Sequence, residues 1–221
     1  MRLHFVVEGQ TEETFVRDLL GPELGTKGIF CDAHRITTGR RGAKVYRGGL
    51  LQFCHLRKDL ELWMKQDPGP DSWFTTMVDL YRLPSDFPGT PESRGIVDPI
   101  QKVEFLEERF SSDLNHLRFV PYIQLHEFEA LLFSNPQSFS IAFPSVSTEL
   151  AELRAIRRAF ETPEHIDEGN NTSPAKRICR VLPQYVKPLS GPLIAKRIGL
   201  AKLRAECRHF DRWLEHLEAA H

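Results

Sequence analysis

The chain has 221 residues, of which 41% are hydrophobic and 27% are charged, a composition that indicates a folded globular protein and excludes a disordered one. Its 29 basic and 30 acidic side chains give a formal net charge of -1, which excludes a protein that coats nucleic acid through overall charge. No apolar run approaches the roughly 18 residues of a membrane span, so we expect a cytoplasmic protein that does not associate with membranes.

The four cysteines lie far apart along the chain and form no Cys-x-x-Cys pair: Cys31, Cys54, Cys179 and Cys207. This spacing indicates neither a zinc site nor a disulfide framework. We therefore expect reduced and mostly buried thiols, as is typical of cytosolic proteins.

The chain opens with a predicted strand, tight loop and helix. Leu3 to Val7 is short, apolar and rich in β-forming residues, as in a strand buried on both faces. Thr11 to Leu20 shows helical spacing of its apolar residues, and Gly21-Pro22 is expected to end that helix. A second strand is predicted over Ile29 to Ile36. The segment from Thr38 to Gly49 has no apolar period and is predicted to be an exposed loop.

Strands and helices continue to alternate after this loop. An apolar stripe predicts a helix from Leu50 to Gln66, and the next buried strand runs from Trp73 to Leu80. The connection from Tyr81 to Pro99 is irregular, and long irregular loops are often functional. A helix from Pro99 to Phe110 leads to a fourth strand over Arg118 to Leu125.

The last part of the sequence is predicted to be helical. His126 to Phe133 begins a helix at the end of the fourth strand, and helical spacing prevails beyond Ser145 apart from a polar break between Glu161 and Ser173. The alternation predicts an α/β fold with a mostly parallel, doubly wound sheet flanked by helices. We expect one domain over residues 1–221, with a sheet-bearing core at 1–143 and a helical C-terminal extension at 144–221.

Acidic residues follow three of the predicted strands. The first strand ends in Glu8, the third in Asp79, and the fourth in the run His126-Glu127-Phe128-Glu129. Ligands of parallel sheets bind outside the carboxyl ends of the strands, where these side chains are expected to meet. Oxygen ligands of this kind suit Mg²⁺, whose shell is completed by phosphate and water.

Each acid also has a purely structural interpretation. Glu12, Glu13 and Glu129 lie in predicted first turns of helices, where a negative charge is favourable whatever the function. Gly9 is either a plain turn glycine or a residue that lets backbone N–H groups approach a phosphate. Neither alternative is excluded by the sequence, and only the convergence of several acids favours a metal site.

Basic residues suggest where a polyanion could bind. Arg40, Arg41 and Lys44 lie among glycines in the predicted loop, and Arg82 follows closely after Asp79. Such residues bind phosphates or form a solvated surface, and Arg82 could equally anchor its own loop. We name these four residues as candidate nucleic-acid contacts.

Several motifs resemble a known family. Val7-Glu8-Gly9-Gln10-Thr11-Glu12 resembles the opening motif of the TOPRIM domain, especially in overcoming-lysogenization-defect nucleases, and Val78-Asp79 resembles that domain's second acidic motif. Ile123 to Leu132 and the segments Asp167-Glu168-Gly169 and Ser173 to Arg177 are similar to an uncharacterised bacterial TOPRIM-like family. Its members are often encoded beside ABC-like ATPases and are associated with phage defence.

The resemblance implies an enzyme that cleaves phosphodiester bonds with Mg²⁺ or Mn²⁺. Glu8 and Asp79 would be metal ligands, and Glu12 a further ligand. The usual Asp-x-Asp motif reads Asp79-Leu80-Tyr81 here, so its second acid is absent. Glu127, as a catalytic residue, or Glu129, as a ligand, is the predicted substitute.

The resemblance also implies a cation and a partner. Lys176 would balance the charge that develops on the phosphate, with Arg177 as the alternative and as a nucleic-acid contact; the competing interpretation is a helix with exposed positive charge. The sequence contains no Walker-type phosphate loop, so ATP hydrolysis would come from an ABC-like ATPase partner. The oligomeric state is left open.

Three functions compete at this stage. The first is a metal-dependent nuclease that acts on DNA or RNA. The second is a non-catalytic TOPRIM-like module that binds an ATPase or nucleic acid, which the missing acid at Tyr81 favours. The third is another phosphoryl-transfer enzyme with a small substrate, because the carboxylates alone do not define substrate size.

Overall fold

The computed structural model describes residues 1–41, 44–47, 49–50, 52–166 and 172–220, with the backbone alone at 38–41 and 44–47. Seven strands lie in this part of the chain: β1 Arg2–Val7, β2 Phe30–Arg35, β3 Thr37–Arg41, β4 Lys44–Arg47, β5 Ser72–Asp79, β6 Phe119–Val120 and β7 Ile123–Gln124. Five of them form a parallel sheet in the order β2-β1-β5-β6, with β7 also paired to β5. The predicted α/β fold with a mostly parallel sheet is therefore confirmed.

The helices lie on both faces of this sheet. They are α1 Gln10–Phe15, α2 Gly21–Gly25, α3 Phe53–Gln66, α4 Thr90–Ser93, α5 Pro99–Leu114, α6 Glu129–Leu132, α7 Ser147–Arg158, α8 Pro174–Val181, α9 Lys187–Ile198, α10 Leu200–Glu206 and α11 Arg208–Ala219. Short 3₁₀ turns lie at Leu80–Arg82, Pro136–Ile141 and Pro163–His165. None of the described helices is long and apolar enough to cross a membrane.

Successive residues of β1 enter two different apolar cores. Phe5 and Val7 pack with α1 and the C-terminal helices, whereas Val6 packs with α3 and α5. A strand that is buried on both faces has no polar alternation, which explains why the β1 sequence is continuously apolar from Phe5 onward. The doubly wound arrangement follows from this two-sided burial.

The C-terminal helices are attached to the sheet by polar as well as apolar contacts. The indole N–H of Trp213 on α11 donates a hydrogen bond of 2.9 Å to Thr75 Oγ1 on β5, and the Trp213 ring stacks on Tyr122 at 4.0 Å. The buried Glu164 carboxylate accepts the backbone N–H groups of His209 and Phe210, at 3.1 and 3.0 Å, and so caps α11. The division of the chain at residues 143 and 144 stays a prediction.

The first helix differs from its prediction at the C-terminal end. It continues beyond Leu20 through a π-helical turn over Val16–Leu20 and then into α2, so Gly21-Pro22 does not end it. The Gly21 N–H bonds to Val16 O, five residues back, and a Cβ at position 21 would lie 3.1 Å from that oxygen. The wider turn accommodates Pro22, which has no N–H to donate.

The prediction of an exposed loop from Thr38 to Gly49 is wrong. Strands β3 and β4 form an antiparallel ribbon there, in which Arg40 pairs with Val45 and Arg41 with Lys44. Backbone hydrogen bonds hold a two-stranded ribbon together, so such strands can form without a regular pattern of apolar residues.

Three other boundaries differ from their predictions. Helix α3 begins at Phe53 rather than Leu50, because the Asp86 carboxylate accepts the Phe53 N–H at 3.1 Å. The fourth predicted strand is divided into β6 and β7 at Pro121, where the Thr76 hydroxyl bonds the Tyr122 backbone at 3.0 Å in place of the ladder. Helix α6 begins only at Glu129.

The cysteines are all free, as predicted, but they are not mostly buried. Only Cys207 is buried, Cys31 is partly buried, and Cys54 and Cys179 are exposed. Cys54 and Cys179 occupy solvent-facing positions of α3 and α8.

The cap on α11 can be tested by substitution. Replacing Glu164 with Ala leaves two buried N–H groups without an acceptor, and we expect a loss of about 2–4 kcal/mol in the free energy of unfolding. Denaturant titration measures this loss, with Glu215→Ala on the exposed face of α11 as the control. Equal losses in the two variants would show that the cap does not hold the C-terminal helices.

Candidate functional site

The carboxyl ends of β1, β5 and β7 meet at one edge of the sheet. Val7 pairs with Met77, and Asp79 pairs with Gln124, so Glu8 and Asp79 are delivered side by side. The Asp79 N–H donates to Glu8 Oε2 at 3.2 Å. The Phe128 N–H in turn donates to Asp79 Oδ1 at 3.0 Å. These two hydrogen bonds join the ends of all three strands through carboxylates.

Glu12 reaches back to the same edge from the first turn of α1. Its Oε2 accepts the Gly9 N–H at 2.8 Å, and the side chain is buried. A Cβ on residue 9 would lie 3.1 Å from that oxygen, so glycine allows this close approach. Glu12 therefore caps its helix while its carboxyl group faces the other acids.

Glu127 and Glu129 complete the group and are held from the C-terminal helices. Glu127 Oε2 accepts the Ala175 N–H at the start of α8, at 3.0 Å. Glu129 accepts the Tyr185 hydroxyl at 3.2 Å and the Lys187 ammonium at 3.0 Å. The same ammonium lies 3.7 Å from Glu127 Oε1. We refer to Glu8, Glu12, Asp79, Glu127 and Glu129 as the carboxylate cluster.

Burial makes the charge of this cluster costly. Burial raises the pKa of Glu8, and it raises that of Glu12 to about 7. Burial and the charges of Glu8, Glu12 and Glu129 raise the pKa of Asp79 well above its usual range. The pKa of Glu129 is also raised by burial, although Lys187 opposes this. The cluster resists full ionisation unless further positive charge is supplied.

Lys187 provides one such charge. Burial lowers its pKa, but the neighbouring Glu129 and Glu127 carboxylates raise it overall, so the ammonium form is favoured. The cluster contains five carboxyl groups that are each at most 8% exposed, and the Lys187 ammonium supplies one positive charge next to them. The imbalance favours an additional cation.

The donor set fits a hard divalent ion. It contains carboxylate oxygens from several elements, which are the ligands that Mg²⁺ and Mn²⁺ prefer. Within the residues that the structure describes, no three of these carboxylates have ligand oxygens within 4.8 Å of one another. The spacing suits an ion that takes one or two protein carboxylates and completes its shell with water or phosphate.

A cavity is lined by chain neighbours of the carboxylate cluster, although no acid of the cluster lines it. It has a volume of about 330 Å³, and Tyr81 and His126, the chain neighbours of the cluster, line it. His126 has a left-handed backbone with φ of 60°, which turns the chain sharply between β7 and Glu127. Arg94 and Lys102 also line this cavity and give it two cationic groups.

The other residues predicted from sequence lie around the cluster rather than in it. Lys176 is exposed on α8, next to the residue whose N–H holds Glu127. Arg177 donates to Thr172 O at 2.6 Å and lies over the Phe160 ring at 5.2 Å. Arg82 is exposed, and its charge lowers the pKa of Glu8.

Some of the predicted site residues belong to parts of the chain that the structure does not describe in full. The side chains of Arg40, Arg41 and Lys44 are not described, although their backbone forms the β3-β4 ribbon. Asp167 and Glu168 lie outside the described residues.

Sequence reasoning did not find Lys187 or Tyr185. Both reach Glu129 across more than fifty residues of chain, at separations of 58 and 56 positions. The one local signal is Pro188, which marks Lys187 as the first residue of a helix. Nothing in that signal connects the helix start to an acid on another element.

The raised pKa of Glu12 predicts a loss of stability with rising pH. The ordinary value is 4.5 and the folded value about 7, so between them the folded state binds more protons and the free energy of unfolding falls as pH rises. In metal-free protein we expect about 3 kcal/mol of this fall from Glu12. Denaturant titrations in EDTA from pH 5 to pH 8 measure the slope, which Glu12→Gln should flatten and the exposed Glu23→Gln should not. An unchanged slope in Glu12→Gln would contradict the assignment.

Solved structures with a similar chain come from one protein. The C-terminal region of the Xanthomonas campestris pv. campestris OLD protein, in a structure phased with platinum, is 14% identical with a TM-score of 0.45, covering 100% of this chain and 97% of that chain. A structure phased with iodine is 15% identical with a TM-score of 0.39 and covers 97% of both chains. A likeness of this size does not transfer an activity.

No curated protein matches the chain. A family model does match, over residues 7–218, and its description is "Domain of unknown function (DUF4276)". The matched range begins at the end of β1 and reaches into α11, so it contains the whole carboxylate cluster together with Lys187. The chain belongs to the DUF4276 family.

Proposed function

We propose that this protein is a nuclease that hydrolyses phosphodiester bonds of DNA or RNA with the help of Mg²⁺ or Mn²⁺. The observation that carries the proposal is the carboxylate cluster, in which the Lys187 ammonium compensates only part of the charge of five buried acids. Buried negative charge of this size is retained where a cation is bound. The TOPRIM-like opening motif around Glu8 supports the same function.

Glu8 and Asp79 would hold the ion directly, and Glu12 and Glu129, the other predicted ligands, would contact it through water molecules in its shell. A bound divalent ion would lower the pKa of a water and stabilise negative charge on a phosphoryl oxygen. The chain's own groups position that chemistry. The Asp79 N–H fixes Glu8 Oε2, and the Phe128 N–H fixes Asp79 Oδ1, so each of these two acids keeps its second oxygen for a ligand.

Glu127 and Lys187 have complementary parts in this proposal. Glu127 is anchored through Oε2 to the Ala175 N–H, and its other oxygen faces Lys187 at 3.7 Å. A carboxylate held in this way can accept a proton from an attacking water. Lys187 is a cation next to the acids, 3.0 Å from Glu129, and would join the predicted Lys176 in this part.

The cavity beside the cluster is the proposed binding place for the nucleic-acid backbone. Arg94 and Lys102 line it, and Arg82, which is exposed, follows the lining residue Tyr81 in the chain, so a phosphate could meet cations there. The ribbon of β3 and β4 carries Arg40, Arg41 and Lys44 and could extend this contact along the strand.

The biological setting of the proposal rests on the resemblance in the sequence. We place the protein in the cytoplasm, as an effector of phage defence that acts with an ABC-like ATPase. The partner would supply the ATP hydrolysis for which this sequence has no phosphate-binding loop.

A non-catalytic module that binds an ATPase or nucleic acid is the alternative, and two observations favour it. Tyr81, which is 41% exposed, stands where the second acid of the TOPRIM motif would be. Lys187 also supplies an internal cation 3.0 Å from Glu129. An ammonium in this place can stabilise the acids as a structural pair without any metal.

A cleavage assay separates these functions. Purified protein is incubated with supercoiled DNA, single-stranded DNA, total tRNA and ATP, in Mg²⁺, Mn²⁺ or EDTA. We expect cleavage of a nucleic acid that requires the metal and falls by roughly 100-fold or more in Glu8→Gln with Asp79→Asn, because these isosteric changes remove ligand charge and keep the shape. The exposed Glu23→Gln is the matched control and should retain full activity.

Each other outcome of this assay has a definite meaning. Cleavage that persists in the double variant would contradict the assigned ligands. Turnover of ATP alone would favour a phosphoryl-transfer enzyme with a small substrate. Inactivity of the folded chain, both alone and with an ATPase partner, would leave the binding module as the better account.

A further inference from the structure

A second group of metal-binding side chains lies on the sheet, away from the carboxylate cluster. His4 on β1 is in register with Asp32 on β2, and His34 follows two residues later on β2. Alternate residues of a strand point to the same face, so the three side chains share one face of the sheet. One ligand atom from each lies within 4.8 Å of the others.

His4 shows that this group needs a positive charge. Its side chain is buried, with 6% of the residue exposed, and its Nε2 pairs with Asp67 Oδ2 at 2.9 Å. When Nε2 donates to Asp67, the Nδ1 of a neutral ring has only a lone pair, and Nδ1 lies 2.8 Å from Asp32 Oδ1. A lone pair facing a carboxylate oxygen at this distance is repulsive, so the contact needs either a proton on Nδ1 or a cation that both atoms bind.

His4 Nδ1 and His34 Nε2 both face Asp32, at 2.8 Å from Oδ1 and 3.4 Å from Oδ2. Neither contact has the direction of a hydrogen bond. Two imidazole nitrogens and one carboxylate thus converge on a point that favours positive charge.

The surroundings support these three residues as ligands. Asp67 orients His4 through Nε2, which is the contact that a carboxylate makes to a metal-bound histidine, and Arg2 in turn holds Asp67 at 2.7 Å. The Trp63 ring stacks on His34 with 3.6 Å between ring centroids and fixes its plane. Asp32 is half-exposed on the edge strand β2, which leaves an open position for water.

The donor set identifies the class of ion. Two imidazoles and a carboxylate suit a first-row transition ion such as Zn²⁺, which binds three protein ligands and one water, whereas Mg²⁺ prefers oxygen alone. Ligand atoms around such an ion lie about 3–4 Å apart, a spacing that a small rotation of the partly exposed Asp32 or His34 provides.

We propose that His4, Asp32 and His34 form a zinc-class site in which Asp67 positions His4. His4 precedes Glu8 by four residues of β1, or about 13 Å, so the site is separate from the carboxylate cluster. An ion there would clamp the edge strand β2 to β1. The inference does not depend on the proposed nuclease function.

Zn²⁺ binding to the full chain tests the proposal. Calorimetric titration is done with excess Mg²⁺ present, so that the carboxylate cluster does not take up Zn²⁺. We expect one Zn²⁺ per chain, and at least about a 10-fold weaker dissociation constant in His34→Ala. His34 is partly exposed, so this variant should fold, and the exposed His216→Ala is the matched control that should bind as the unchanged protein does.

Two further measurements locate the ion. Visible absorption of bound Co²⁺ reports nitrogen ligands and should be lost in His34→Ala, and the imidazole ¹⁵N signals of His4 and His34 should shift on addition of Zn²⁺. Asp67→Asn should weaken binding by about 10-fold while keeping the Co²⁺ spectrum, as expected of a positioning residue. Equal Zn²⁺ affinity in the unchanged protein and in His34→Ala, or no Zn²⁺ binding by the folded chain, would overturn the site and leave an ion pair only.

Discussion

The structure depends above all on how it accommodates buried carboxylates at the ends of its parallel strands. Each buried acid that the sheet delivers is matched by a specific donor: the Asp79 N–H for Glu8, the Phe128 N–H for Asp79, and Lys187 for Glu129. Burial of negative charge without such partners would cost several kcal/mol per group. The donors hold the acids in place but do not neutralise them, which is why their pKa values remain raised. This incomplete compensation supports the proposal that the acids bind a cation.

The C-terminal helices are part of the site because they carry two of its donors. Helix α8 presents the Ala175 N–H to Glu127, and α9 begins with Lys187. Their position depends on packing against the sheet, since α9 lies along α1 and α11 is tied to β5 through Trp213 and Thr75. Changes to α11 should therefore reach the carboxylate cluster through the core, even though no residue of α11 touches an acid of the cluster in the described contacts.

The sequence predicted the parts of the fold that depend on local pattern. The continuous apolar run of β1 and the acid that ends it could be found because burial on both faces leaves a clear signal. The start of α3 could not, since the cap comes from Asp86, more than thirty residues away. The contact between Lys187 and Glu129 could not be predicted either, because the two residues lie 58 positions apart in the chain. The ribbon of β3 and β4 was missed because backbone pairing, and not an apolar face, defines it. Contacts between distant residues are therefore what the sequence did not reveal.

The central claim is that the carboxylate cluster binds a divalent ion through Glu8 and Asp79. The most direct test is equilibrium binding of Mn²⁺, followed by the electron paramagnetic resonance signal of the free ion. The protein would carry His34→Ala, so that a second site on the sheet does not contribute. We predict saturable binding that weakens by at least about 10-fold when Glu8→Gln and Asp79→Asn are added. Identical binding with and without these two changes, or no binding by the folded protein, would contradict the account and leave the acids compensated by side chains such as Lys187.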